Sequence, residues 1–154
     1  RKETAAPGKA PNNSKRKTMC NKKLDKSYLD MASIWGQNSS ATRKQVGCLI
    51  VKDRTIISDG YNGTPKGFDN SCEDAEGLTH WFVLHAEANA ITKLARSTQS
   101  GENATMYCTL SPCKNCSKLI LQTGISRLVY KEEHSDTSGI DLMREAGIEV
   151  EKYV

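Results

Sequence analysis

Residues 85–87 read His85-Ala86-Glu87, and residues 112–116 read Pro112-Cys113-Lys114-Asn115-Cys116. One imidazole and two thiolates form a ligand set that zinc accepts in tetrahedral geometry. Three protein ligands leave a fourth position open, the pattern of a catalytic rather than a closed structural site. Glu87 stands beside the set without being needed to hold the metal. Zinc lowers the pKa of water to about 7, and a neighbouring carboxylate can carry the protons that such water gives up.

The surroundings of both motifs fit helix starts. Leu84, Ala88, Ile91 and Ala95 recur at helical spacing, which predicts a helix over 84–96 with His85 and Glu87 in its first turn. Cys113 and Cys116 are three residues apart and share a face, Pro112 suits a first turn, and Leu119 and Ile120 continue that helix into a core. Two helix N-termini would then converge on the metal, and their partial positive charge favours thiolates. A lone CxxC serves equally as half of a structural zinc site or as a redox pair, and a lone HxE arises by chance. The ordered pair, each half opening a helix after an apolar run, is much more specific. Cys72 and His80 are the residues that could fold back to close the site.

The chain has 154 residues, enough for one domain with a real core. Its net charge of +4 is unevenly placed: residues 1–23 hold eight Lys or Arg and one acid, which leaves 24–154 net acidic. Residues 1–23 have almost no apolar content and are read as a disordered basic leader, a solvated tail or a segment foreign to the domain. The catalytic domain is read as 24–154. No apolar run reaches 18 residues, so no membrane span is expected. Of six cysteines, Cys48 and Cys108 lie in apolar, strand-like runs where buried free thiols are the ordinary reading. A reducing, cytoplasmic compartment is the expectation.

Working outward, residues 24–37 read as a helix with Leu24, Tyr28, Met31, Ala32 and Trp35 on its apolar face. Residues 45–52 and 55–61 read as a hairpin around Asp53-Arg54. Residues 60–79 form a long Gly/Asp/Asn-rich loop, a type that is usually functional in a compact domain. Beyond the first motif helix, strands are predicted near 104–109, 127–130 and 149–153, with the second motif helix near 113–122 and a further helix near 139–146. A hairpin followed by helix–strand alternation predicts an α/β fold, three-layer α/β/α with a mixed five-stranded sheet. The motifs would sit at strand carboxyl ends, where open α/β sheets bind ligands.

The ordered HxE and PCxxC motifs are those of zinc-dependent nucleobase deaminases. The chain resembles the deoxycytidylate (dCMP) deaminase family, of the cytidine deaminase-like fold, over residues 24–154. The likeness is carried by Gln45-Val46-Gly47, Ile56-Ile57, the run from Asp59 to Pro65 (DGYNGTP), His85 to Ile91 (HAEANAI), Ser111 to Cys116, Gln122 to Ile125, and Arg144 to Val150. The resemblance implies hydrolytic deamination of dCMP to dUMP and ammonia, with activated water attacking C4 and Glu87 as proton shuttle, supplying thymidylate synthesis. It implies that His85, Cys113 and Cys116 hold one catalytic zinc. Asn62 would meet the sugar, the Ala86 N–H the base carbonyl, and the Ser111 carbonyl the exocyclic amine. Arg43 would meet the phosphate, with Lys44 and Lys66 as weaker candidates. Arg96 matches a residue at a subunit contact near the site, or else is a favourable cation at a helix C-terminus. Similar proteins are commonly homo-oligomers, from dimers to hexamers, and many are activated by dCTP and inhibited by dTTP.

Two departures stand out. Many relatives carry tyrosine where His134 aligns, so an imidazole would have to pack near the nucleotide. Some hold a second, structural zinc, of which Cys72 and His80 could be remnants; Ala41 stands where one of its cysteines is expected, so that site is not expected here. Two rival functions remain. A deaminase of tRNA or single-stranded DNA needs a basic, aromatic-bearing surface, whereas aromatic residues make up 6% of this chain and 24–154 is net acidic. A non-catalytic zinc module has no use for the Glu87 carboxylate.

Overall fold

The computed structural model describes residues 13–154, with side chains from residue 22 onward. Four helices and five strands follow in order: α1 (Asn13–Gly36), β1 (Gly47–Lys52), β2 (Thr55–Tyr61), α2 (Ala86–Ala95), β3 (Thr105–Leu110), α3 (Lys114–Leu121), β4 (Arg127–Glu132), α4 (Ser138–Glu145) and β5 (Glu149–Lys152). The expected hairpin closes in two residues, Asp53 and Arg54, both with positive φ (50° and 62°), as a tight turn between right-twisted strands requires. The strand order is β2-β1-β3-β4-β5. Pairing is antiparallel between β2 and β1 and between β1 and β3, then parallel from β3 to β4 and β4 to β5. The parallel pairs are joined through α3 and α4, as parallel strands demand a crossover. This is the mixed five-stranded sheet that the pattern predicts.

Alternation along the central strands assigns the layers. Cys48, Ile50, Met106, Cys108, Leu128 and Tyr130 pack with Ala86, Ala90, Leu94, Ile120, Ile140 and Met143 of α2, α3 and α4. Leu49, Val51, Tyr107 and Val129 face the other way and meet Tyr28, Leu29 and Ala32 of α1. The result is α1, sheet, then α2, α3 and α4.

Three details differ from the expectation. Among the described residues the first helix already runs from Asn13, well before residue 24. It takes in residues 13–23 of the basic leader; the low apolar content that reads as disorder speaks to packing, whereas Lys and Arg are good helix formers. The rest of the leader, 1–12, lies outside the described residues. The buried face of α1 is Asp25, Tyr28, Leu29 and Ala32, while Met31 and Trp35 are exposed. Burial of a charged residue turns the helix away from its most apolar stripe. The Asp25 carboxylate is enclosed by Arg127 (two bonds of 2.8 Å) and the Tyr107 hydroxyl (2.7 Å), so the buried charge is paired and fully hydrogen-bonded. In α2 the buried face is Ala86, Glu87, Ala90 and Leu94, not the stripe from Leu84 to Ala95. The small alanines let α2 approach β2 closely, where a Cβ on Gly60 would come within 2.2 Å of the Ala86 carbonyl oxygen. Ser58 Oγ donates to the Ala90 carbonyl and Asn89 Nδ2 to the Tyr61 carbonyl, fastening the helix there.

Candidate active site and metal centre

His85 is the N-cap of α2 and Cys113 the N-cap of α3, both in extended backbone conformation. Neither side chain folds back to cap its own helix, so both are free to project past the helix ends. Cys116 follows one turn into α3. The Nδ1 atom of His85 lies 3.5 Å from each of the Cys113 and Cys116 sulfurs. One ligand atom from each residue falls within 4.8 Å of the others, and no fourth His, Cys, Asp or Glu joins the group among the described residues. Convergence depends on tight packing behind the cysteines. A Cβ on Gly139, in the first turn of α4, would reach 2.8 Å from the Pro112 carbonyl oxygen.

The donor set suits zinc on its own chemistry: one neutral nitrogen and two sulfurs, with one corner left open. Electrostatics prepare one sulfur already. The Cys113 thiol is pushed down to about 3, first by its hydrogen bond with Cys116 and then by His85. Cys116 moves up, because it donates to Cys113 and is buried. His85 is raised chiefly by its hydrogen bond with Cys113. A divalent cation binding between them would release the protons that the two thiols still hold. Glu87 is 4% exposed, and burial raises its carboxyl pKa.

The group opens into a cleft of about 530 Å³ that also receives Arg43, Asn62, Ala86, Ser111 and His134. Five residues drawn from separate parts of the sequence are therefore brought to the metal group. Ala86 is the first residue of α2, so its N–H lacks an intrahelical acceptor. Ser111 follows β3; its N–H donates to the Glu132 carbonyl at 2.8 Å, and its hydroxyl accepts from the His134 N–H at 2.8 Å. His134 Nδ1 accepts from the Asp136 N–H at 3.1 Å, leaving Nε2 available. Asn62 spends one bond of each kind on the chain itself: Oδ1 accepts from the Val46 N–H (2.9 Å) and Nδ2 donates to the Lys44 carbonyl (2.8 Å).

Other candidates lie elsewhere or are engaged. Lys44 pairs with Glu132 at 2.8 Å, and Lys66 is not on the cleft wall. Arg96 caps the far end of α2, roughly 15 Å along the axis from His85, and is no part of the cleft within one chain. Cys72 is buried with its sulfur 3.7 Å from Ser40 Oγ, while His80 stacks on Phe82 at 4.8 Å; neither belongs to the metal group. The cleft also holds Glu73, Val83, Leu110 and Glu133, none singled out from sequence. The only signal for Glu73 is its place in the long polar loop.

A model of the cytidine and deoxycytidylate deaminase zinc-binding region matches residues 22–132. The chain is 35% identical to deoxycytidylate deaminase of Saccharomyces cerevisiae over 84% of its length, and spans 44% of that protein. It is 37% identical to deoxycytidylate deaminase of enterobacteria phage T4, covering 79% of this chain and 86% of the phage protein. Among solved structures, the dCMP deaminase of cyanophage S-TIM5 in complex with dCMP and dUMP superposes with a TM-score of 0.82 at 43% identity, covering 84% of this chain and 96% of that one. The matched segment contains all three metal-binding candidates and Glu87, and on that ground the chain belongs to the cytidine and deoxycytidylate deaminase family.

Proposed function

We propose that the protein deaminates dCMP hydrolytically, giving dUMP and ammonia. The observation that carries this reading is the three-ligand group of His85, Cys113 and Cys116 with a buried carboxylate beside it, on the wall of a nucleotide-sized cleft. Zinc, held by those three side chains, supplies activation of water near neutral pH. Glu87 takes a proton from the attacking water and delivers it to the ring nitrogen next to C4; it then takes the second proton, from the new C4 hydroxyl, and passes it to the amine, so that the C4–N bond breaks, ammonia leaves and the C4 carbonyl forms. The Ala86 N–H meets the base carbonyl and the Ser111 carbonyl accepts from the exocyclic amine. Asn62 has one N–H and one lone pair left for the sugar, and the His134 ring packs against the nucleotide. The Arg43 guanidinium, without a partner among the described residues, meets the phosphate, for which its planar fork is suited.

Residues 24–154 form the catalytic unit in this reading, within a reducing, cytoplasmic compartment. Self-association into dimers to hexamers, with Arg96 at a subunit contact, and control by dCTP and dTTP complete it. No helix among the described residues is long and apolar enough to cross a membrane. The test is ammonia release by the zinc-loaded protein from dCMP, deoxycytidine and an RNA stem-loop assayed side by side. Preference for dCMP is expected. Turnover of the stem-loop alone would transfer the function to nucleic acid, and no release from any cytosine substrate would leave a zinc-stabilised module.

A further inference from the structure

Arg43 stands on an irregular stretch between α1 and β1, and its side chain has no partner among the described residues. A flexible arginine on a flexible loop would lose much entropy on gripping an anion, yet the backbone around it is fixed. One oxygen of Glu73, Oε1, accepts from two consecutive N–H groups, Thr42 at 3.0 Å and Arg43 at 3.2 Å. Successive N–H groups turned to one point form a nest for negative charge, and here a carboxylate from the chain fills it. Glu73 is anchored in turn. It pairs with Thr79, while the His80 N–H donates to the Cys72 carbonyl (2.9 Å) and the Asp74 N–H to the Leu78 carbonyl (2.8 Å). On the other side Asn62 clamps Lys44 and Val46. The segment carrying Arg43 is therefore held from both flanks, and both clamps come from the long loop region that follows β2.

We propose that Glu73 is the positioning residue for phosphate recognition: by filling the Thr42–Arg43 nest it fixes where the Arg43 guanidinium stands at the cleft wall. The inference rests on the reading of the cleft as a nucleoside monophosphate site. Glu73 acts through backbone, as an acceptor, so its oxygen matters and its charge matters less. Removing the acceptor releases the 42–43 backbone and spreads Arg43 over many placements, which weakens grip on the phosphate and leaves chemistry at the base untouched.

Steady-state kinetics of the zinc-loaded full chain on dCMP and on deoxycytidine, which lacks the phosphate, test this. For Glu73→Ala the KM for dCMP rises about tenfold with kcat within about twofold, and kcat/KM for deoxycytidine stays within about twofold, the pattern of lost uniform binding. Glu73→Gln, which keeps an acceptor oxygen, stays within about threefold of wild type. In an Arg43→Ala background, Glu73→Ala adds no further loss on dCMP. Glu73→Asp, one methylene shorter, shifts KM in the same direction and serves if Glu73→Ala does not fold. Equal losses on both substrates, a Glu73→Gln variant as impaired as Glu73→Ala, or a Glu73→Ala variant that binds dCMP as tightly as wild type or tighter each overturn the proposal. The last result in an enzyme that still prefers dCMP over deoxycytidine sinks this inference alone. A wild-type protein that turns over neither substrate sinks the parent reading with it.

Discussion

Glu87 is a carboxylate placed where a carboxylate is costly. It lies in the first turn of α2, 4% exposed, and a buried acid without a task is disfavoured. Glu87→Gln preserves size and leaves the three metal-binding side chains in place. The expected outcome is unchanged zinc content and melting temperature, with turnover lower by about 10²–10⁴-fold, the range of a positioned proton carrier. Elemental analysis and ammonia release on the same sample check it; full activity in a zinc-replete variant would remove Glu87 from the chemistry. Residues such as this one were legible because their chemistry is bound to short spacings. His85-Ala86-Glu87 and Cys113-Lys114-Asn115-Cys116 each sit at one helix end, so local sequence sets their geometry. Glu73 was not legible. It meets Thr42 and Arg43 across about thirty positions of chain, a distance over which no periodicity carries information.

Elements were legible to within a residue or two wherever turn chemistry marks them. The hairpin of β1 and β2 and the extents of α2, α3 and α4 follow the pattern. Which face each helix buries was not. The apolar stripe of α1 points to Met31 and Trp35, but the Asp25 partnership with Arg127 and Tyr107 decides the rotation. In α2 the decisive residue is Gly60 on the neighbouring strand, which admits the Ala86 carbonyl at a distance no side chain tolerates. Gly60→Ala therefore has to push α2 away from β2, and His85 and Ala86 move with its N-terminus. A loss of about 1–3 kcal/mol is expected from the overpacking, together with weaker zinc binding. Urea titration and competition against a chromophoric chelator measure the two. Wild-type zinc affinity in a destabilised variant would separate the α2 position from the metal group.

At the scale of the whole molecule, one polar cluster ties four elements together. Arg127 of β4 bonds Asp25 of α1, reaches Glu151 of β5 at 2.7 Å, and shares Asp25 with Tyr107 of β3. Asp25 is 1% exposed, so Asp25→Ala leaves a guanidinium largely buried with its main partner gone. The cost is about 3–5 kcal/mol, read from denaturant unfolding, and the zinc group on the opposite layer keeps its ligands. A stability loss under about 1 kcal/mol would mean that the cluster adds little to the α1–sheet contact. That layer secures the sheet; the other layer, through α2 and α3, brings three ligand atoms within 4.8 Å of one another, with no fourth side chain at the remaining corner among the described residues. X-ray absorption at the zinc edge of the loaded wild-type protein reads that corner directly. One imidazole nitrogen, two sulfurs and one light non-protein scatterer are the result predicted here, whereas a second imidazole or a third sulfur in the shell would contradict it.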